Sequence, residues 1–459
     1  MAMSDTICAF STPAGIGGIA VLRISGNDAL RFALLALRHR SGRNVRLDDR
    51  RATMACLVSD NQIVDEVVAT YFAEPRSYTG EDVVEIACHG SLYLQQRVLQ
   101  LFLSLGARMA EPGEFTLRAF LNHKLDLSQS EAVADLIDSR TEAAHNLALS
   151  QMRGGYANEL EQLRQQLIDF SALLELELDF TEEDLQFANR KHLSRLLEEL
   201  SQRVRRLVDS FRLGNALKHG IPVAIVGAPN AGKSSLLNAL LEEERAIVST
   251  VPGTTRDTIE ESFVVDGVQF RFVDTAGLRD SDDPVERMGI GRSLQAVSKA
   301  AIVLYVHDST MPSLSLSDGV ESLMSKCELE GKKMLLVVNK TDLSDEMPAE
   351  VPQAFHSVVA VSARQGTGID ELKSELYELV REDVRMQGDV LLTNARHYEA
   401  MCHLLEALGE VRKGMEVGLT PDLLAIDLRD ALYHLGSITG KVSSEEILGS
   451  VFSRFCVGK

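Results

Sequence analysis

Read only as apolar and polar positions, the chain changes character three times along its length. From residue 1 to about 118, short apolar runs such as Ile19–Ile24 and Val83–Ala87 alternate with turn residues, among them Pro13-Ala14-Gly15 and Tyr78-Thr79-Gly80. One helical stretch lies near Leu92–Leu105, and the mixture predicts an α+β domain. From about 119 to 217 glycine nearly vanishes. Apolar residues recur three and four apart, at Leu160, Leu163, Leu167 and Phe170, then at Leu193, Leu196, Leu197 and Leu200, which predicts long amphipathic helices. From about 218 to 380, apolar strands (Pro222–Val226, Phe270–Val273, Ile302–Val306, Met334–Val338, Val358–Val361) alternate with helical segments. That is the pattern of a mainly parallel sheet covered on both faces. From about 381 to 459 helices return, with Leu404, Leu405, Leu408 and Val411 on one side of one of them. The economical organisation is a helical domain interrupted by an α/β domain; a separate C-terminal helical module is the alternative.

Composition narrows the class. With 45% hydrophobic and 25% charged residues in 459 positions, the chain reads as soluble and globular. No stretch approaches the roughly 18 unbroken apolar residues of a membrane span. The opening residues lack the basic, apolar and small-residue succession of an export signal. Six cysteines (Cys8, Cys56, Cys88, Cys327, Cys402, Cys456) form no C-x-x-C pair, which fits a reducing cytoplasm. A net charge of -20 argues against bulk attraction to nucleic acid, so an RNA contact requires a local basic patch or a partner.

The most specific motif opens the α/β segment. The strand Pro222–Val226 runs into Gly227-Ala228-Pro229-Asn230-Ala231-Gly232-Lys233-Ser234, followed by the helix-forming Ser235–Leu241, which is a P-loop in its strand, loop and helix context. Its backbone N–H groups converge on phosphates, Lys233 brings positive charge to the β- and γ-phosphates, and the Ser234 hydroxyl suits Mg2+. Further motifs follow in order at predicted strand ends. Thr255, in Gly253-Thr254-Thr255-Arg256-Asp257, is placed to complete the Mg2+ shell; Asp274, in Asp274-Thr275-Ala276-Gly277, to hold its hydration waters; and Gly277 to sense the γ-phosphate. The carboxylate of Asp342, in Asn339-Lys340-Thr341-Asp342, suits the guanine N1–H and amine. Ser362-Ala363-Arg364 brings backbone N–H groups toward guanine O6. Together they select GTP over ATP.

Hydrolysis needs a further group, because Leu278 follows the Asp-x-x-Gly motif where Ras-like enzymes carry a water-orienting Gln. Glu286, on the same switch segment, is the nearest candidate. No arginine finger is assured. The Asn230 side chain can ligate a monovalent cation, and a switch loop of Ser249, Thr250, Val251, Pro252, Gly253 and Thr254 can close over the nucleotide. Carbonyls such as those of Ser249, Val251 and Thr254 would then complete a K+ site, with a facing G domain holding the loop shut.

These residues resemble the MnmE (TrmE) family of tRNA-modifying GTPases over essentially the whole chain. The marks are Gly253–Asp257, Val285–Ile290, Pro112–Asp126 and the terminus Phe455-Cys456-Val457-Gly458-Lys459. Ser249-Thr250, Gly291 and His123 depart from the usual family residues. The resemblance implies an N-terminal folate-binding domain that mediates homodimerisation. It also implies a heterotetramer with a FAD-dependent, MnmG-type partner, and an aminomethyl or carboxymethylaminomethyl group placed on carbon 5 of the wobble uridine (position 34) of certain tRNAs. The carbon would come from 5,10-methylenetetrahydrofolate or a related reduced folate. Folate contacts fall by resemblance on Arg23, Glu85, Lys124 and Lys459, and Cys456 is assigned a catalytic place whose role as nucleophile stays open. Without the resemblance, Arg23 and Glu85 read as ordinary strand residues. Two rivals remain: a regulatory GTPase acting as a ribosome- or RNA-binding switch, and an ATP-dependent assembly factor, which Asn339 and Asp342 oppose.

Overall fold

A computed structural model describes residues 5–179, 183–242, 261–273, 295–325, 332–344, 346–348, 350–385, 391–453 and 455–459. The chain divides into two compact units. One comprises Met1–Asp138, Ala148–Ser201 and Ala400–Lys459, the other Ser139–Leu147 and Gln202–Glu399.

The first unit holds a seven-stranded sheet. Its strands are β1 (Ile7–Phe10), β2 (Gly17–Ser25), β3 (Leu37–Arg38), β4 (Ala52–Ser59), β5 (Gln62–Phe72), β6 (Val83–Gly90) and β7 (Arg108–Met109), in the order β3-β4-β5-β6-β2-β1-β7. Every pairing is antiparallel except β1 with β7. The period of two along the strands decides what is buried: Ala20, Leu22 and Ile24 from β2 and Val84, Ile86 and Cys88 from β6 face the core with the helices Ala29–Ala36 and Leu92–Ser104. The intervening Arg23, Glu85 and Ala87 are turned to the other face. A single helix was expected in this segment. Ala29–Ala36 is the second, and its near-continuous apolar sequence ALRFALLA lacks a polar period, with no side-chain cap at Asp28 to mark its start. A further helix, Glu114–Leu121, runs across the expected boundary at 118/119.

Long helices make up the rest of this unit. Gly155–Asp179 packs against Pro421–Thr439. The face that it buries is Leu160, Leu163, Leu167 and Phe170, as the three-four spacing predicts. Opposite are Leu424, Leu428, Ala431 and Leu435. The last helix, Glu445–Phe452, is capped by the Ser444 side chain, which accepts from the Ile447 N–H.

The second unit is built on a six-stranded sheet of β8 (Ile221–Gly227), β9 (Ser262–Val265), β10 (Val268–Phe272), β11 (Ile302–Asp308), β12 (Lys333–Asn339) and β13 (Ser357–Ala360). Their order is β13-β12-β11-β8-β10-β9. All pairings are parallel except the β9–β10 hairpin. Both faces are covered, one by helices Lys233–Glu242 and Ile369–Arg385, the other by Ser313–Met324, so β11 is buried along its whole length. The five predicted strands are present within one or two residues. The edge strand β9 was not anticipated, although its turn, Asp266-Gly267 with φ of 47° and 77°, is the Asp-Gly signal of a two-residue hairpin.

Candidate functional site

Four loops meet at the C-terminal ends of the parallel strands. Strand β8 buries Val223–Val226 and releases the chain at Gly227. Asn230 takes a left-handed φ of 60°, Ala231 N–H donates to Ala228 O at 3.3 Å, and Leu236 N–H donates to Gly232 O at 2.9 Å as the helix Lys233–Glu242 begins. Gly232 has φ +91°, and a Cβ there would stand 2.2 Å from Asn339 Nδ2, so conformation and close approach both demand glycine. Lys233 Nζ reaches back over the loop to the carbonyls of Gly227 (3.1 Å) and Ala228 (2.8 Å).

Asn339 ties this loop to two others. It is 2% exposed; its Nδ2 donates to Ala231 O at 2.9 Å and its Oδ1 accepts from Ala363 N–H at 3.1 Å. One buried amide thus joins the loops after β8, β12 and β13, using a donor and an acceptor that would otherwise be costly to bury. Beside it, Ser362 Oγ donates to Asp342 Oδ1 at 2.7 Å, which orients the carboxylate. Lys340 is held left-handed at φ 67°, and its ammonium lies 2.6 Å from Asp308 Oδ2. The other Asp308 oxygen accepts from the Thr310 N–H (3.0 Å) and hydroxyl (2.8 Å). Burial works against ionisation of Asp308, but Lys340 and Thr310 prevail and hold the carboxyl below its ordinary value.

Asp308 is the residue that motif reading missed. Its signal was present: an acid just beyond the apolar run Ile302–Val306 of an α/β sheet stands where such sheets place their ligand sites. Of the remaining candidates, Ser234, Ser235 and Arg364 lie in the described loops and helix. Ser249, Thr250, Val251, Pro252, Gly253, Thr254, Thr255, Asp274, Thr275, Ala276, Gly277, Leu278 and Glu286 lie outside the described residues.

In the first unit, the structure brings Arg23 and Glu85 together as cross-strand neighbours on β2 and β6. Arg23 Nε donates to Glu85 Oε1 at 2.9 Å, and a second guanidinium nitrogen lies 2.8 Å from the same oxygen. The guanidinium also stands 5.1 Å from the Tyr78 ring centre and 5.6 Å from that of Phe115. Lys124 donates to the Pro75 carbonyl at 2.9 Å, in the loop that carries Tyr78.

The chain terminus docks on the start of this same sheet. Val457 bridges Pro112, Gly113 N–H lies 3.5 Å from Cys456 O, and Ser11 Oγ donates to Gly458 O at 2.9 Å. Gly458 has φ +102°, with the place of a Cβ only 2.0 Å from Phe10 O, so the terminus lies flat against β1 only with glycine there. Cys456 is exposed and Lys459 half-buried. By contrast, burial pushes the Cys8 thiol up to about 12 and Cys88 up to about 11, which makes both inert near neutrality. Cys56 is also buried, Cys402 is half-buried, and Cys327 lies outside the described residues.

A parallel sheet releasing a Gly-x-x-x-x-Gly-Lys-Ser loop into a helix beside its central strands defines a P-loop protein. Residues 6–124 match the family described as GTP-binding protein TrmE N-terminus, and residues 127–456 match the MnmE helical domain. The tRNA modification GTPase MnmE of Flavobacterium johnsoniae is 46% identical, with 100% of each chain covered. The proteins of the same name from Christiangramia forsetii and Flavobacterium psychrophilum are 45% and 44% identical, again over 100% of both chains. The chain belongs to the MnmE family of tRNA modification GTPases.

Proposed function

We propose that the chain binds and hydrolyses GTP at the ends of β8, β12 and β13, and that it takes part in modifying carbon 5 of the wobble uridine of certain tRNAs with a folate-borne carbon. The observation that carries the nucleotide assignment is the Asn339 amide, which holds the P-loop, the Asp342 loop and the Ser362–Ala363 turn in one arrangement. In this reading the P-loop N–H groups and Lys233 receive the phosphates, and Asp342, oriented by Ser362, accepts from the guanine edge. Lys340, held by Asp308, covers the base. Ser234 and Thr255 would hold Mg2+, which would supply positive charge to the phosphates. Asn230, with Ser249, Val251 and Thr254, would hold K+, which would supply the positive charge of an arginine finger, and Glu286 would orient the attacking water.

Arg23, Glu85, Lys124 and Lys459 receive the reduced folate. The chemistry of the set fits: a carboxylate suits a pterin edge, cations suit the glutamate tail, and the half-buried Tyr78 supplies flat apolar surface beside Arg23. Cys456 is presented at the same sheet by the docked terminus. Homodimerisation through the open sheet face draws support from the lateral row Met54, Val68, Ala87 and Val21, in which Met54 is 72% and Val68 41% exposed. A FAD-dependent partner of the MnmG type completes the cytoplasmic machinery. Turnover measured at equal ionic strength tests the hydrolytic part. K+ should exceed Na+ at least tenfold, and Glu286→Ala should lose turnover while keeping GTP affinity; equal rates in the two salts would remove the cation from the account.

A further inference from the structure

The sharpest charge contrast in the molecule lies at Arg38–Arg51. The chain carries 67 acidic against 47 basic residues, yet this stretch holds six arginines (Arg38, Arg40, Arg43, Arg46, Arg50, Arg51) and His39 against only Asp48 and Asp49. Its backbone is fixed. Arg38 bridges Asn44, His39 N–H donates to Arg43 O at 2.8 Å, and Gly42 N–H donates to His39 O at 2.7 Å, closing a tight turn. Val45 and Leu47 are 6% and 7% exposed in the core, so the alternation throws Arg46 outward between them. The side chains of Arg40, Arg46 and Arg51 are 88%, 90% and 76% exposed.

These guanidinium groups are weakly committed to the carboxylates around them. Arg46 lies 2.8 Å from Asp48, which it shares with Arg51 at 3.8 Å, and Arg40 stands 3.6 Å from Glu66. Arg43 Nε donates to the Ser41 hydroxyl at 3.1 Å. Exposed pairs of this kind exchange partners readily, and an incoming phosphate offers a guanidinium the same bidentate geometry with more charge. Beside the turn, Arg38 is pinned by the carbonyls of Leu34 and Leu37. Positive charge and exposed forked donors on a fixed backbone suit one kind of partner.

We propose that the turn Arg40–Arg46 is a docking surface for the sugar-phosphate backbone of tRNA; this rests on the tRNA-modification reading above. On a chain of net charge -20, a fixed cluster of arginines sets where and in what orientation a tRNA lands. The test is the triple variant Arg40→Glu, Arg43→Glu, Arg46→Glu in the full chain, with fold checked by thermal melting and by unchanged GTP turnover. Binding of unmodified substrate tRNA is measured at about 50 and 200 mM salt. The dissociation constant should rise at least tenfold at the lower salt. The slope of log K against log salt should shrink by about two to three units, as loss of three phosphate contacts requires. The corresponding triple Lys variant should keep most of the affinity. Equal affinity and slope in wild type and the Glu variant, or a wild-type chain that fails to bind tRNA at low salt, would overturn the surface. Loss of an acidic protein partner with tRNA affinity unchanged would overturn it as well. The underlying reading is judged separately, by wobble-uridine modification in tRNA from cells lacking the chain, so failure of the surface and failure of the reading are told apart.

Discussion

In the six-stranded sheet the candidate residues occupy loops leaving the C-terminal ends of parallel strands, and most of their geometry is backbone. In the seven-stranded sheet, Arg23 and Glu85 lie within antiparallel strands, largely buried beside Phe115, and meet through side chains 62 residues apart. The difference follows from topology. Parallel strands all deliver their loops to one edge, so short contiguous segments converge there. Antiparallel strands instead build a site from lateral neighbours set by register. The first kind of site depends on glycine and on a few fixed amides such as that of Asn339. The second, as proposed, adds the docked terminus to matched side chains.

If the two sites are separable, the largest effect should come from Lys233→Ala. GTP turnover should fall at least a hundredfold, about 3 kcal/mol, with binding of a reduced folate unchanged in equilibrium dialysis. Loss of folate binding in that variant would break the comparison. Next comes Gly458→Ala, which puts a methyl group where Phe10 O stands 2.0 Å away and strains φ +102°. The terminus should lift from β1, and tRNA modification should drop at least tenfold while GTP hydrolysis stays within about twofold. A parallel fall in both rates would mean that the terminus supports the nucleotide site.

A smaller effect sharpens the description of the nucleotide site. Asp308→Asn removes the anionic partner of Lys340 and should weaken GTP about tenfold, or roughly 1.4 kcal/mol, as read by titration calorimetry. The Asp308 carboxyl is depressed below 3.8 in the folded chain. Its contribution is therefore complete above that value and is lost only as pH falls through the lower native one. The ratio of wild-type to variant affinity should accordingly stay flat from about pH 8 to pH 5. A ratio that shrinks near pH 6 would assign the effect to another group.

The same topological contrast explains what could be read in advance. Most of the parallel strands are legible because each is a mainly apolar run of strand length, and β8, β12 and β13 lead into recognisable loop sequences. Gly227–Ser234 and Asn339–Asp342 needed only their strand and helix context. Strand β9 was missed because four residues beside a turn carry little periodic signal, and Ala29–Ala36 because its apolar residues surround the helix. Arg23 and Glu85 became candidates only through resemblance: a pairing across register leaves no mark along the chain. Asp308 carries no motif of its own, and along the chain its partner Lys340 reads only as part of a nucleotide motif. The linked roles of Asn339 are a structural result, since no spacing predicts that one amide meets both Ala231 O and Ala363 N–H.

The claim on which the rest depends is that Asp342 reads the guanine edge from the orientation that Ser362 gives it. The most direct measurement is competition between GTP and xanthosine triphosphate for the full chain and its Asp342→Asn variant. Xanthine presents a carbonyl where guanine presents an amine, and the Asn amide can donate to it. Wild type should prefer GTP, and the variant should reverse the preference, with at least a tenfold loss for GTP. A variant that retains its preference for GTP would contradict the placement of the guanine site.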